Sequence, residues 1–371
     1  MAISEIKVKN QSTNYSIFVG SNIIKILPKK ISIVCPGAKK IGLVIDKKIP
    51  KKFKNQLKKS LKKYEIHIFE YAVNEKLKSF YQVNRLAEKC LSLNFNRNDI
   101  LIAFGGGIIG DFCGFTSSII KRGVNFINLP STLLSQVDSS LGGKTAVNSN
   151  LGKNLIGTFY QPKLVISDTD LLKSLPYREI VCGYAEILKH ALISSSLFFK
   201  WLKTYSKEIL NRSNQEVLKL AIIKSCKVKQ FFIQNDVYEK NIRMILNFGH
   251  TFAHAIEVQN KYSSKINHGE AVIMGMMLAV KLSYIKKACK KNLVNEISEI
   301  YEKNRLNYKI EKFFKKNEYN QIIDNMSNDK KNNDKKINFI FLKKIGKTTK
   351  PNKNKISVKE LKKIFPRIIS I

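Results

Sequence analysis

Acidic residues are scarce in this 371-residue chain: 28 Asp and Glu stand against 66 Lys and Arg, a formal charge of +38. Histidine occurs five times, and the six cysteines (Cys35, Cys90, Cys113, Cys182, Cys226, Cys289) include no C-x-x-C pair. That scatter speaks against a disulfide framework or a cysteine zinc site and suits small core residues in a reducing compartment. No apolar stretch reaches membrane-spanning length, and the amino terminus has no basic n-region followed by an h-region. A cytoplasmic chain with no membrane partner is expected. The cationic excess raises the question of nucleic acid, because phosphate neutralisation drives non-specific binding. Lys, Asn and Ile nevertheless recur along the whole chain, and lysines such as those of KKFKNQLKKSLKK (51–63) make helical and loop surface without a nucleic-acid module. No nucleic-acid partner is expected; a positive field would instead attract an anionic substrate.

The length allows two domains with sizeable cores. Over residues 1–175, β-branched runs (YSIFVG, KKIGLVID, EIHIFEY, DILIAF, FINLP, KLVISD) alternate with helical stretches (KNQLKKSLKKY, QVNRLAEKCLSL, GDFCGFTSSIIKR). This rhythm predicts an α/β domain with a Rossmann-like, mostly parallel sheet covered by helices. Residues 176–371 read as a mostly α-helical domain, with a strongly apolar window at GEAVIMGMMLAVKLSYI (269–285) and a late hairpin strand in INFIFLKKIG (337–346). The cleft separating two such domains is the natural place for a site.

Two patterns carry chemistry. FGGGIIGDFCGF (104–115) follows the apolar DILIAF and sets Gly105, Gly107 and Gly110 at the G-x-G-x-x-G spacing of a dinucleotide turn. There, a pyrophosphate can approach the backbone and the positive end of the next helix. The turn departs from the standard form: Asp111 follows at once and no acid stands about 20 residues on, where a ribose would be held. Three of the five histidines fall in one window, His250 and His254 in NFGHTFAHAIE and His268 in NHGEAV. On a helix His250 and His254 share a face, and with a carboxylate they would make a three-ligand zinc site with an open position. Thr251 stands where a zincin needs Glu. Glu186, in GYAEILKH, is the candidate carboxylate; a plain buried salt bridge with Lys189 fits its spacing equally well.

Taken together, GGGIIGDFCGF, RGVNFINLPSTLLSQVDSSLGGKTAVN, LGKNLIGTFYQP, LPYREIVCGYAEILKH, LNFGHTFAHAIE and HGEAV resemble the 3-dehydroquinate synthases, sugar-phosphate cyclases of the shikimate pathway. The resemblance spans roughly residues 100–280 in near-continuous order and weakens toward both ends. It implies a lyase that converts 3-deoxy-D-arabino-heptulosonate 7-phosphate to 3-dehydroquinate and phosphate. Bound NAD oxidises one hydroxyl transiently, phosphate is eliminated, the hydride returns, and the ring opens and closes by an intramolecular aldol step. NAD and Zn2+ (or Co2+) are the implied cofactors, a sugar acid phosphate the substrate, and a homodimer the assembly. Other sugar-phosphate cyclases and metal-dependent polyol dehydrogenases of the same architecture are the alternatives.

By the same resemblance Glu186, His250 and His268 are the metal ligands, and His254 becomes an acid/base or phosphate-contacting group. Asp138, Lys144, Asn154 and Lys189 surround the substrate, with Lys229, Arg243 and Asn247 toward its carboxylate, Glu239 as a proton acceptor, and Arg122 reaching the phosphate across a dimer interface. The cofactor set is Asp46, Glu75, Lys78, Gly106, Gly107, Ile108, Ile109, Gly110, Asp111, Ser131, Thr132, Lys144, Lys153, Leu171, Leu172, Lys173 and Ser174. Asn74, Asn241 and Ala253 replace family glycines, and Ser131 replaces a threonine. Both asparagines can adopt the left-handed conformation a glycine would give. SNDKKNND (327–334) is similar to a family D-K-K block, which makes Lys330 or Lys331 a possible substrate contact.

Overall fold

The computed structural model describes residues 3–10, 13–327 and 335–371; Lys330 and Lys331 lie outside the described residues. Two compact units are present, Met1–Ile180 with Asn214–Gln234, and Val181–Ser213 with Asn235–Ile371. The second expected segment, 176–371, thus lends Asn214–Gln234 to the first unit.

Among the described residues the first unit holds nine strands: β1 (Ser4–Asn10), β2 (Thr13–Gly20), β3 (Lys40–Asp46), β4 (Glu65–Tyr71), β5 (Ile100–Gly105), β6 (Asn125–Pro130), β7 (Lys144–Ser149), β8 (Gly152–Phe159) and β9 (Leu164–Asp168). Seven of them form one sheet in the order β1-β2-β9-β6-β5-β3-β4. β1 and β2 pair antiparallel and every other neighbour is parallel. The sequence dictates this division. β5 (ILIAFG) and β9 (LVISD) are buried at every position, as parallel strands covered on both faces must be. β1 buries only Ile6 and Val8 and alternates with exposed residues, the signature of a half-covered strand.

Helices α1 (Leu27–Val34), α2 (Lys51–Ser60), α3 (Phe80–Ser92) and α4 (Gly107–Ile119) cover the sheet. Side chains of β3 alternate between two cores: Ile41, Leu43 and Ile45 join Leu27, Ile31 and Leu57, whereas Val44 joins Val83, Leu86 and Phe112. The chain runs outward from β3 through α2 to the edge strand β4, then returns to β5 and runs the other way through α4 to β6. The crevice beyond the carboxyl ends of β3 and β5 is therefore a topological switch point, where open parallel sheets bind ligands. Asp46 ends β3, and Gly105 ends β5.

The chain leaves the first unit within α5 (Tyr177–Ser194). α6 (Ser196–Asn211) follows, and α7 (Gln215–Asn235) belongs almost wholly to the first unit. The second unit continues with α8 (His250–Gln259), α9 (His268–Ile285), α10 (Lys291–Lys303), α11 (Tyr319–Asp324) and α12 (Val358–Ser370). The expected late strand is present: Leu342–Lys344 turns back on Lys347–Thr348, and Lys336–Phe339 pairs with Asn354–Ser357. No helix among the described residues is long and apolar enough to cross a membrane.

Candidate active site

In the first unit β5 runs directly into α4, with Gly106 as its cap and Gly107 as its first helical residue. A Cβ on Gly107 would lie 3.0 Å from Ser139 Oγ. The bare glycine keeps open the space in front of the unpaired N–H groups of the helix. Ser139 Oγ is itself buried there without a hydrogen-bond partner; sequence reasoning passed over it, although it stands inside SQVDSSLGG. Gly110 and Ile109 are buried and Ile108 half-buried. Thr132 and Ser135 tie the turn after β6 through their hydroxyls, 2.9 Å apart, while Ser131 N–H donates to Gly105 O at 2.9 Å. This is a cradle that suits a dinucleotide.

Around it the remaining candidates of this unit fall into pairs. Lys78 Nζ donates to Asp111 Oδ2 and to Asn154 Oδ1. Burial pushes the Asp111 carboxyl up, and the Lys78 ammonium works against that push. Lys153 Nζ lies 2.9 Å from Glu75 Oε1. Lys229 Nζ, on α7, donates to Asp138 Oδ1 at 2.7 Å and to its carbonyl at 2.6 Å. Asp46 Oδ1 accepts from the Lys48 N–H. Leu171, Leu172, Lys173 and Ser174 lie on the 3-10 turn Thr169–Ser174, where both leucines are buried and Lys173 pairs with Asp170 at 2.7 Å. Lys144 opens β7 and is exposed. Arg122 is exposed in a strained bend, with φ of 50°, 65° and 126° at Lys121, Arg122 and Gly123. Such strain persists only where surrounding structure enforces it, and it clusters at functional positions.

In the second unit three helices deliver one side chain each to a common point. Glu186 comes from the interior of α5, while His250 and His268 are the first residues of α8 and α9. Backbone contact sets this convergence. A Cβ on Gly269 would lie 2.2 Å from Cys182 Cα, and one on Gly275 would lie 2.3 Å from Gly249 O. Only glycine lets α9 approach both α5 and α8 so closely. Glu270 is committed to the α9 capping box: its backbone N–H donates to Asn267 Oδ1 and its carboxylate accepts from Asn267 N–H. Glu186 Oε1 is fully buried, accepts no hydrogen bond, and faces Nε2 of His250 at 3.5 Å and Nε2 of His268 at 3.8 Å. Donors about 2.1 Å from a tetrahedral cation sit about 3.4 Å apart, so the spacing and the donor set fit a divalent cation.

The plain salt bridge is there as well, since Lys189 Nζ contacts Glu186 Oε2. Burial alone would raise the Glu186 carboxyl; Lys189 and the two imidazoles outweigh it and hold the group well below the usual carboxylate range. Burial, reinforced by Lys189, keeps His250 well below its ordinary value and thus neutral. The same burial acts on His268, but with no cation between them its contacts to Glu186 and Glu257 raise it to about 10, and a bound cation would take the place of that proton. The His254 ring lies one turn along α8, 5.4 Å from that of His250. Sequence spacing paired those two histidines; the third candidate, His268, supplies the second nitrogen near Glu186 instead.

A second cluster in this unit joins Glu239, Arg243 and Asn247. Asn247 Nδ2 donates to Glu239 Oε1 at 2.7 Å, and the almost fully buried Arg243 places Nε 3.9 Å from Glu239 Oε2. The loop is held by Asp236, unread in the sequence, whose carboxylate accepts from the backbone N–H groups of Lys240, Asn241 and Arg243. The two asparagines are accommodated in another way. Asn74 is extended (φ −152°) and caps the turn Glu75–Leu77 by accepting from Lys76 N–H, and Asn241 has φ −136°. Neither adopts the left-handed conformation. Side-chain capping at Asn74 and the Asp236 carboxylate at Asn241 hold these backbones where a glycine's freedom is not used.

Two family models match, 3-dehydroquinate synthase N-terminal over residues 68–182 and 3-dehydroquinate synthase C-terminal over residues 183–332. The chain belongs to the 3-dehydroquinate synthase family. A 3-dehydroquinate synthase of Pelagibacter ubique is 47% identical over 346 residues, covering 93% of this chain and 94% of the relative. Among solved structures, a 2-deoxy-scyllo-inosose synthase in complex with carbaglucose-6-phosphate, NAD+ and Co2+ matches with TM-score 0.86 at 23% identity over 98% of this chain and all of the other. The 2-epi-5-epi-valiolone synthase of Streptomyces hygroscopicus, with NAD+ and Zn2+ bound, matches with TM-score 0.81 at 20% identity over 98% of each chain. These two share the fold of a 3-dehydroquinate synthase, an α/β unit with a parallel sheet followed by a helical unit.

Proposed function

We propose that this chain converts 3-deoxy-D-arabino-heptulosonate 7-phosphate to 3-dehydroquinate and inorganic phosphate, as a carbon–oxygen lyase. Family membership supports that reaction over inositol-type or valiolone-type ring closure and over polyol oxidation, because the relatives that align along nearly the whole chain carry this name. The observation that carries the chemistry is the convergence of Glu186, His250 and His268, whose ligand atoms all lie within 4.8 Å of one another.

Those three residues would hold a divalent cation, and the glycine turn with Asp46, Glu75, Lys78, Asp111, Ser131, Thr132 and Lys153 would hold NAD. Together the cofactors supply a polarised hydroxyl oxygen and a reversible hydride acceptor. The chain's own side chains do the rest. Lys189 neutralises Glu186 and presents an ammonium beside the oxygen being oxidised. Arg243 and Asn247 bind the substrate carboxylate, the guanidinium being suited to a planar, paired contact. Glu239, within reach of both, orients them and takes up a proton. Lys144, Asn154 and the Asp138–Lys229 pair position the sugar, and His254 serves as an acid/base near the departing phosphate. Lys144 is read as touching both substrate and cofactor.

We also infer a homodimer in which Arg122 reaches the partner's phosphate. Leu151, Leu155, Ile156 and Phe159 are exposed along the β7–β8 hairpin, and Phe80 and Tyr81 are exposed where α3 begins beside β7. An apolar surface of that kind suits burial against a second copy. Six cysteines without a disulfide, five of them buried, suit the cytoplasm.

The test is direct. Purified chain, the heptulosonate phosphate, NAD and Zn2+ should release phosphate and 3-dehydroquinate in equal amounts with no net rise in absorbance at 340 nm. Phosphate release without 3-dehydroquinate would indicate another cyclase, and accumulating NADH a dehydrogenase. Sedimentation of the same preparation reports the dimer.

A further inference from the structure

The two histidines near Glu186 are anchored in different ways. His250 Nδ1 lies 3.4 Å from the carbonyl oxygen of Phe248, a backbone group no substitution removes. His268 Nδ1 lies 3.3 Å from Oε1 of Glu257, a side chain outside the proposed ligand, cofactor and substrate sets. Glu257 stands seven residues after His250 on α8, two turns along the same face, and its side chain is only 15% exposed. α8 therefore brings one imidazole to Glu186 with its first residue, and with its last turn it supports the imidazole that opens α9.

We propose that Glu257 is a positioning residue for the cation site. Its carboxylate accepts the Nδ1–H of His268, which fixes the ring's tautomer and rotation so that the Nε2 lone pair points at the ion. A neutral imidazole has one N–H and one lone pair, and whichever nitrogen is tied as donor leaves the other to bind a metal. Without the carboxylate, His268 can rotate about its side chain or place its proton on Nε2, and both outcomes remove a ligand. The Glu257 charge also adds attraction for a dication beyond that of Glu186. Glu270, the nearer acid in sequence, is occupied by the α9 cap and is no substitute.

The inference rests on the cation reading of Glu186, His250 and His268, and the experiment separates the two. Full-length chain is stripped of metal and titrated with Co2+ against a chromophoric chelator, for the parent, Glu257→Gln and Glu257→Ala. Glu257→Ala should weaken Co2+ binding by about 10- to 100-fold and alter the visible absorption band of bound cobalt, because a ligand geometry has changed. Glu257→Gln keeps an acceptor oxygen and the side-chain volume while losing the charge. It should fall between the parent and Glu257→Ala in affinity and keep a cobalt spectrum close to the parent's, a graded rescue that a merely space-filling role would not give. It also answers the question should Glu257→Ala fail to fold. Affinities within about twofold of the parent in the folded variants, with the parent spectrum, would overturn the role of Glu257. A parent that binds no Co2+ would instead remove the cation reading itself.

Discussion

The two units build their candidate half-sites by opposite means. In the first, a glycine turn runs from the carboxyl end of β5 into α4, and the space kept open in front of Gly107 matters most. In the second, the groups stand on helices, and the close approach of α9 to α5 and α8 at Gly269 and Gly275 decides whether Glu186, His250 and His268 meet. Glycine is required in both, once to leave room for a ligand and once to remove room between helices.

The largest expected effect breaks the helical half alone. His268→Ala should reduce turnover by more than about a thousandfold, a loss in the range expected when metal-derived charge stabilisation goes, and Co2+ affinity should fall with it while NAD affinity stays within about twofold. Near-normal turnover would remove His268 from the site. A smaller pair of effects sharpens the contrast. Gly107→Val should weaken NAD binding by at least about tenfold, about 1.4 kcal/mol, and leave Co2+ affinity intact. Gly269→Ala should do the reverse, lowering stability by about 1–3 kcal/mol through overpacking and weakening the ion while sparing NAD. Calorimetric titration of each variant with each ligand would show a crossed pattern; a uniform loss in either variant would end the distinction.

The smallest effect concerns the Asp236 loop. Burial pushes that carboxyl up, but hydrogen bonds from the N–H groups of Asn241, Lys240 and Arg243, together with the Arg243 charge, prevail and lower it. Its stabilisation is therefore present above the unfolded value near 3.9 and is lost as pH falls through the lower folded value. Asp236→Asn should cost about 2 kcal/mol at pH 7, measured by urea unfolding, and the gap to the parent should shrink in that acid range.

Much of the first unit was legible because its signals are local. Each of the six strands read from β-branched runs is found, and DILIAF does lead into a glycine turn and a helix. α1 and the edge strand β1 escaped, since short mixed runs such as LPKKISIV carry little periodicity of their own. The β7–β8 hairpin hid inside SSLGGKTAVN and LGKNLIGTF, whose residues read as chemistry before they read as strands. In the second unit spacing along α8 favoured His250 with His254, whereas helix packing brings His268 to Glu186 across 82 residues of chain; no periodicity encodes that. Glu257 and Asp236 were missed for a related reason. Each acts on a group already singled out, and only coordinates reveal which acid stands behind which imidazole or loop.

Gly269 and Gly275 carry a lesson for anyone wishing to transplant the proposed ion site. Copying a glutamate and two imidazoles onto another three-helix scaffold would reproduce the chemistry on paper and leave the ligands stranded, because their spacing is inherited from main chain touching main chain. The portable part of the design is the pair of bare positions that let the rods lie flush; the ligands themselves could be added last.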